Sequence, residues 1–168
     1  MAELSLQERL QPSLLDRLRD DHPQATVEAP GERVLTLAQL RRSVQRDIGW
    51  LFNTSNLQSR IAGYEEVEAS VLNYGLPDLA GLTVSTLDVH ELEKTVRRVL
   101  ERYEPRLLKN SIRVQAGLDP ESMSHNSLVL TIEADLWATP APIALILRTV
   151  LDFESSEVTV SELSARSR

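Results

Sequence analysis

The chain has no cysteine among its 168 residues, which excludes disulfides, thiolate nucleophiles and thiolate-bound zinc together and fits a reducing compartment. Aromatic residues amount to only 4%, few rings for stacking sugars. Positive charge is in deficit, with 18 Lys and Arg against 25 Asp and Glu, so a net charge of -7 favours neither nucleic acid nor an anionic membrane. Long hydrophobic runs are missing too. Ile143 to Leu147 is far too short to span a bilayer, and Met1-Ala2-Glu3-Leu4 lacks the basic start and apolar run of a signal peptide. No membrane insertion is expected, and a cytoplasmic location is the expectation. The 6 glycines are scattered, with no phosphate-cradling loop. His22, His90 and His125 sit in unlike contexts without the spacing of a metal pair, and no nucleophile elbow is present. The expectation is no metal, no cofactor and no catalytic residue.

What is present is an ordinary globular balance, 42% apolar and 26% charged, in a chain long enough to bury one sizeable core. Pro12 to Asp20 patterns as a short helix with Leu14, Leu15 and Leu18 on one side, followed by breakers from Asp21-His22-Pro23 to Pro30-Gly31-Glu32. Residues 1–33 are therefore a candidate docking arm or, equally, a frayed terminus. Thr36 with Gln39 has the spacing of a capping box, and Leu37, Leu40, Val44, Ile48 and Leu51 recur as one buried helical face. Arg41, Arg42 and Arg46 fall outside that stripe and are expected in solvent, or against an acidic partner.

Glu65 to Asn73 predicts a second helix with Val67, Val71 and Leu72 as its apolar positions, closed by Gly75 in a left-handed conformation. Leu76 to Gly81 is irregular but apolar, and is expected to pack on the core. Asp88 caps a third helix running to Tyr103, in which Val89, Leu92, Val96, Val99, Leu100 and Tyr103 make the apolar stripe. Glu93 with Arg97 and Arg97 with Glu101 are exposed pairs worth roughly 0.3–0.5 kcal/mol each. Pro105 ends this helix, because its ring disfavours the α conformation at Glu104 and it has no amide proton.

Beyond Pro105 the period falls to two. Strands are predicted over Ser111 to Ala116, Leu128 to Leu136 and Ile143 to Leu151, the last buried on both faces, with a short one at Val158 to Val160. Helices first and strands afterwards predict an α+β fold, with N-terminal helices packed on one face of a C-terminal, mainly antiparallel sheet. The expected organisation is an arm over 1–33, a single domain over 34–155 and a loose tail over 156–168.

Three blocks carry a resemblance: Leu40 through Thr54, Ser70-Val71-Leu72-Asn73-Tyr74-Gly75-Leu76-Pro77-Asp78-Leu79, and Tyr103-Glu104-Pro105-Arg106-Leu107. With the strand ending Thr149-Val150-Leu151-Asp152, they resemble the TssE family of type VI secretion baseplate subunits, grouped with phage baseplate wedge proteins historically labelled lysozyme-like. The resemblance covers roughly residues 12 to 155. A small departure is Tyr64-Glu65-Glu66, where the family often has proline after the tyrosine, and it touches only a helix start. The resemblance implies a non-enzymatic structural subunit of the wedge in a membrane-docked baseplate. Its implied partners are the baseplate subunits TssF, TssG and TssK and the sheath proteins TssB and TssC, with strands engaging sheath strands. It also implies that Glu104, Pro105 and Arg106 form the family's hallmark assembly motif.

Residues two apart in an extended segment point to one side, so Glu104 and Arg106 can share a surface stiffened by Pro105. From the residues alone, a helix stop with an internal ion pair is the competing reading. With the resemblance, partner binding or bracing of a partner-binding surface is expected, and Glu104→Ala or Arg106→Ala should weaken assembly while leaving the fold largely intact. The alternative function is a peptidoglycan hydrolase. That chemistry needs two carboxylates about 5–9.5 Å apart beside a cleft. None of Glu65, Glu66, Glu68, Glu91, Glu104, Glu133, Asp135 or Glu154 is marked for it. The sheet edges are expected either to accept a partner strand or to be protected within the fold.

Overall fold

The computed structural model describes residues 13–18, 24, 36–57, 61, 63–79, 87–117, 127–138 and 141–163. The helical half holds α1 (Leu14–Leu18), α2 (Leu37–Phe52), α3 (Glu65–Glu68) and α4 (Val89–Tyr103), with single 3-10 turns at Val71–Asn73 and Lys109–Ser111. The strand half holds β1 (Arg113–Gly117), β2 (Ser127–Leu136), β3 (Ile143–Asp152) and β4 (Val158–Glu162). These pair in the order β1-β2-β3-β4, every neighbour antiparallel, which is the α+β architecture expected. Most of the arm, the loop over 118–126 and the end after Leu163 lie outside the described residues.

The two long helices start where side chains satisfy otherwise orphaned amides. The Thr36 hydroxyl accepts from Gln39 N–H at 3.2 Å while the Gln39 side-chain Oε1 accepts from Thr36 N–H at 2.8 Å, a complete capping box. Asp88 accepts from Glu91 N–H at 3.0 Å to open α4. Leu40, Val44, Ile48, Leu51 and Phe52 of α2 and Leu92, Val96, Val99 and Leu100 of α4 are then buried in one core. The sheet meets them with Leu128, Leu130, Ile132, Ala134 and Leu136 of β2 and Leu145, Leu147, Thr149 and Leu151 of β3. The register sets Ile132 opposite Leu147 and Ala134 opposite Leu145, so the alternation of both strands points to one face. At about 1.5–3 kcal/mol per buried aliphatic side chain, this face is the main source of stability.

Three expectations are corrected. β3 is not buried on both faces: Ile146, Arg148 and Val150 keep intermediate exposure, because no described helix covers the outer side of the sheet. Leu37 is 40% exposed in the first turn of α2, outside the core. The helix predicted over Glu65 to Asn73 stops at Glu68, and Ser70 opens a separate 3-10 turn by accepting from Leu72 N–H at 3.2 Å. That restart rotates Val71 and Leu72 outward, 79% and 68% exposed.

Gly75 takes φ +120°, and a Cβ there would lie 2.1 Å from the Thr54 carbonyl oxygen. The crowding comes from a bridge in which Leu76 N–H donates to Thr54 O and Asn56 N–H to Leu76 O, each at 2.8 Å. Leu76, 2% exposed, is thereby drawn into the core with Leu79 packed beside it, as the apolar loop led us to expect.

The free edges of the sheet differ. Along β4, both outward backbone groups of Val158 and the Val160 carbonyl are taken by side chains of α2 and its C-cap. Asn53 accepts from Val158 N–H at 2.9 Å and donates to Val158 O at 2.7 Å, and Gln45 donates to Val160 O at 2.8 Å. Arg41 closes the same seam by pairing with Glu162 at 2.9 Å. Along β1, Glu93 accepts from Ala116 N–H at 2.7 Å. Antiparallel alternation turns the Val114 backbone groups and the Ala116 carbonyl to that same edge.

Candidate functional site: a buried ion network at the end of α4

α4 ends because Glu104 leaves the helix at φ −116°, ψ 83° in front of Pro105, while its N–H still bonds Leu100 O at 3.0 Å. The chain then folds back onto the end of β2. Trp137 N–H donates to Arg106 O at 2.8 Å and Leu108 N–H donates to Asp135 O at 2.9 Å. Helix and sheet together fix the corner.

Within it Glu104 is 4% exposed, Arg106 is half-buried and Pro105 is exposed. Glu104 Oε1 accepts from Arg106 Nε at 2.7 Å and from Arg106 N–H at 3.1 Å, and Oε2 accepts from Arg106 Nη2 at 2.5 Å. This is the bidentate geometry for which guanidinium is suited. The two side chains do share a side, as extended spacing requires, but that side faces inward.

The pair continues into α2. Arg106 Nη2 donates to Asp47 Oδ2 at 2.8 Å and Nη1 to Ser43 Oγ at 3.2 Å. Arg46 in turn donates to Asp47 Oδ1 at 2.9 Å from Nε and 2.7 Å from Nη2. Its Nη1 reaches Asp16 of α1 at 2.5 Å. The Ser43 hydroxyl, buried between them, donates to Asp16 Oδ2 at 2.6 Å. Charges therefore alternate along Glu104, Arg106, Asp47, Arg46 and Asp16, joining the corner, α2 and α1.

Burial works against a charged Arg106, but the hydrogen bonds and charge of Glu104, and then of Asp47, outweigh it and hold the guanidinium well above its ordinary range. Desolvation likewise opposes ionisation of Asp16, yet bonds from Arg46, Ser43 and Ser13 override it and keep its carboxyl well below the usual carboxylate range.

Of the residues singled out in the sequence, Glu104 and Arg106 are brought together directly. The solvated reading of the arginine cluster holds only for Arg42. Arg46 is half-buried in the network, with its guanidinium 4.8 Å from the Trp50 ring centroid, and Arg41 lies against β4, because α2 has neighbours on both flanks of its apolar stripe. Asp16, Ser43 and Asp47 were missed as site residues. The available signal was the spacing of Ser43, Arg46 and Asp47, three and four apart on one side of α2. The expected Glu93–Arg97 pair is replaced: Glu93 turns to β1 and His90, and Arg97 pairs with Glu101 at 2.8 Å. Among the described residues no group of three or more His, Asp or Glu is placed to hold a metal ion, and no helix is long and apolar enough to cross a membrane.

A family model for baseplate wedge protein gp25 matches residues 38–141. The chain belongs to that family. No curated protein and no solved structure matches it. The matched span runs from α2 to just beyond β2, so it contains Ser43, Asp47, Glu104, Pro105 and Arg106, whereas Asp16 lies before it. Membership makes this a baseplate structural component that associates with other baseplate proteins, and it places the buried corner inside the wedge-family region of the chain.

Proposed function

We propose that the chain is a TssE subunit of a bacterial type VI secretion baseplate, a non-enzymatic wedge component in the cytoplasm that joins the membrane-docked baseplate to the first ring of the contractile sheath. The wedge-family match over 38–141 carries this reading, and the three blocks resembling TssE refine it. The corner supports it physically. Both oxygens of Glu104 accept from one guanidinium inside the fold, an arrangement that suits a structural brace. Glu104 and Arg106 act by holding a surface on which the exposed Pro105 meets TssF, TssG or TssK. A sheath strand from TssB or TssC is received along β1, displacing Glu93 from the Ala116 N–H, since side chains of α2 and its C-cap hold more of the β4 edge.

Co-purification of the full chain with TssF, TssG, TssK and the TssB–TssC sheath tests the proposal. Recovery of a complex with wild type, and its loss with Arg106→Ala at a temperature where that variant is folded, is the expected result. Failure of wild type to associate with any of them overturns it. Incubation with cell-wall sacculi tests the hydrolase alternative: muropeptide release abolished by removing a single carboxylate would replace the assembly reading.

A further inference from the structure

The same last turn of α4 that feeds the buried corner also supports an exposed one. Arg102 Nη1 donates to Glu68 O at 2.7 Å, and the Tyr103 hydroxyl lies 3.0 Å from Ser70 O and 2.8 Å from Asn73 O. Asn73 adds a bond from Nδ2 to Glu68 O at 3.1 Å and accepts from Leu57 N–H at 3.1 Å. Tyr74 stacks edge-on to Tyr103 with ring centroids 5.4 Å apart. Side chains from α4 and a backbone amide from the segment after α2 thus hold a three-residue turn whose own aliphatics, Val71 and Leu72, are 79% and 68% exposed. The bracing contributes nothing to burying those two side chains. It fixes the shape in which they are presented, which lowers the entropy lost when something covers them.

The flank is acidic. α3 leads directly into the turn and carries Glu65, Glu66 and Glu68 with no basic residue of its own, while Arg102 is a cation beside it among the described residues. A symmetric contact with a second copy would bring α3 glutamates against α3 glutamates, and an anionic lipid surface would be repelled in the same way.

We propose that Val71 and Leu72 form a pre-shaped apolar knob that seats in an apolar pocket rimmed by Lys or Arg on another protein subunit of the baseplate. This rests on the assembly reading above and names a contact within it. The probe is a purified TssF–TssG–TssK subcomplex, binding the full chain in an affinity measurement, with thermal midpoints recorded for every variant. Val71→Ser with Leu72→Ser is expected to keep the wild-type midpoint and weaken binding roughly tenfold or more. Glu65→Lys with Glu66→Lys is expected to weaken binding and flatten its salt dependence. Wild-type affinity in the serine double variant, within about twofold, overturns the knob while leaving the assembly reading standing. A wild-type dimer in sedimentation that the double variant abolishes overturns it in favour of a second copy. No binding by wild type overturns the assembly reading and the knob together.

Discussion

The corner after α4 and the turn before Gly75 depart from the usual distribution of side chains in opposite directions. One buries a carboxylate to 4% exposure; the other leaves two aliphatics 79% and 68% exposed. Both are built from successive residues of one helix end, Tyr103 for the turn and Glu104 to Arg106 for the corner. Sequence separation of a single residue therefore divides a contact that holds the domain together from a contact that is held out of it. Their energetics should differ accordingly: substitutions in the corner act on stability and assembly alike, those at the turn on assembly alone.

The sharpest test is Arg106→Ala, which leaves the Glu104 carboxylate buried without a cation and should cost about 3–5 kcal/mol, read as a lowered midpoint in chemical denaturation. Glu104→Ala should cost less, because Arg106 is partly solvated and keeps Asp47. The burial of Glu104 thus revises the expectation that these variants spare the fold. Gly75→Ala comes next, at about 2–4 kcal/mol in the same assay, since the backbone conformation is strained for any side chain and the Thr54 carbonyl must move.

Asp16→Ala should cost about 1–2 kcal/mol and undock α1, visible as faster amide exchange there with the sheet unaffected. The sign of its pH dependence follows from the depressed carboxyl. Docking is at full strength at neutral pH and is lost only as pH falls below the ordinary carboxylate value of about 4 towards Asp16's own lower one. A smaller effect should be a gain. Thr149 is fully buried and its hydroxyl has no partner among the described residues, so Thr149→Val should add about 1 kcal/mol. Against all of these, Val71→Ser with Leu72→Ser should change stability by less than about 0.5 kcal/mol. A large loss there would make the turn a second structural site and erase the contrast.

Both long helices and the antiparallel strands were legible because each is written locally, in periodicity, caps and breakers; Gly75 was rightly read as a positive-φ position, but it serves the bridge to Thr54 and not an α-helix end. The corner was half legible. Pro105 announced the helix stop and Glu104 with Arg106 announced a shared side, but nothing local says that the side faces inward. That depends on Ser43 and Asp47 arriving from α2, 63 and 59 residues away from Arg106. Glu93 shows the same limit, since a helical neighbour at Arg97 and a strand amide at Ala116 offered rival partners and only the fold decides. Val71 and Leu72 misled for a local reason: hydrophobicity predicted burial, and the Ser70 hydroxyl restarted the backbone one turn too soon for it.

The seam of Arg41, Gln45 and Asn53 against β4 also has an arithmetic consequence. A sheet with one side closed by its own helix has a valence of at most one. Copies of such a domain have no route to stack strand by strand into a fibre, because every step of such a stack needs two open sides. Three polar side chains, from one helix and its C-cap, keep the domain from being a monomer of its own polymer.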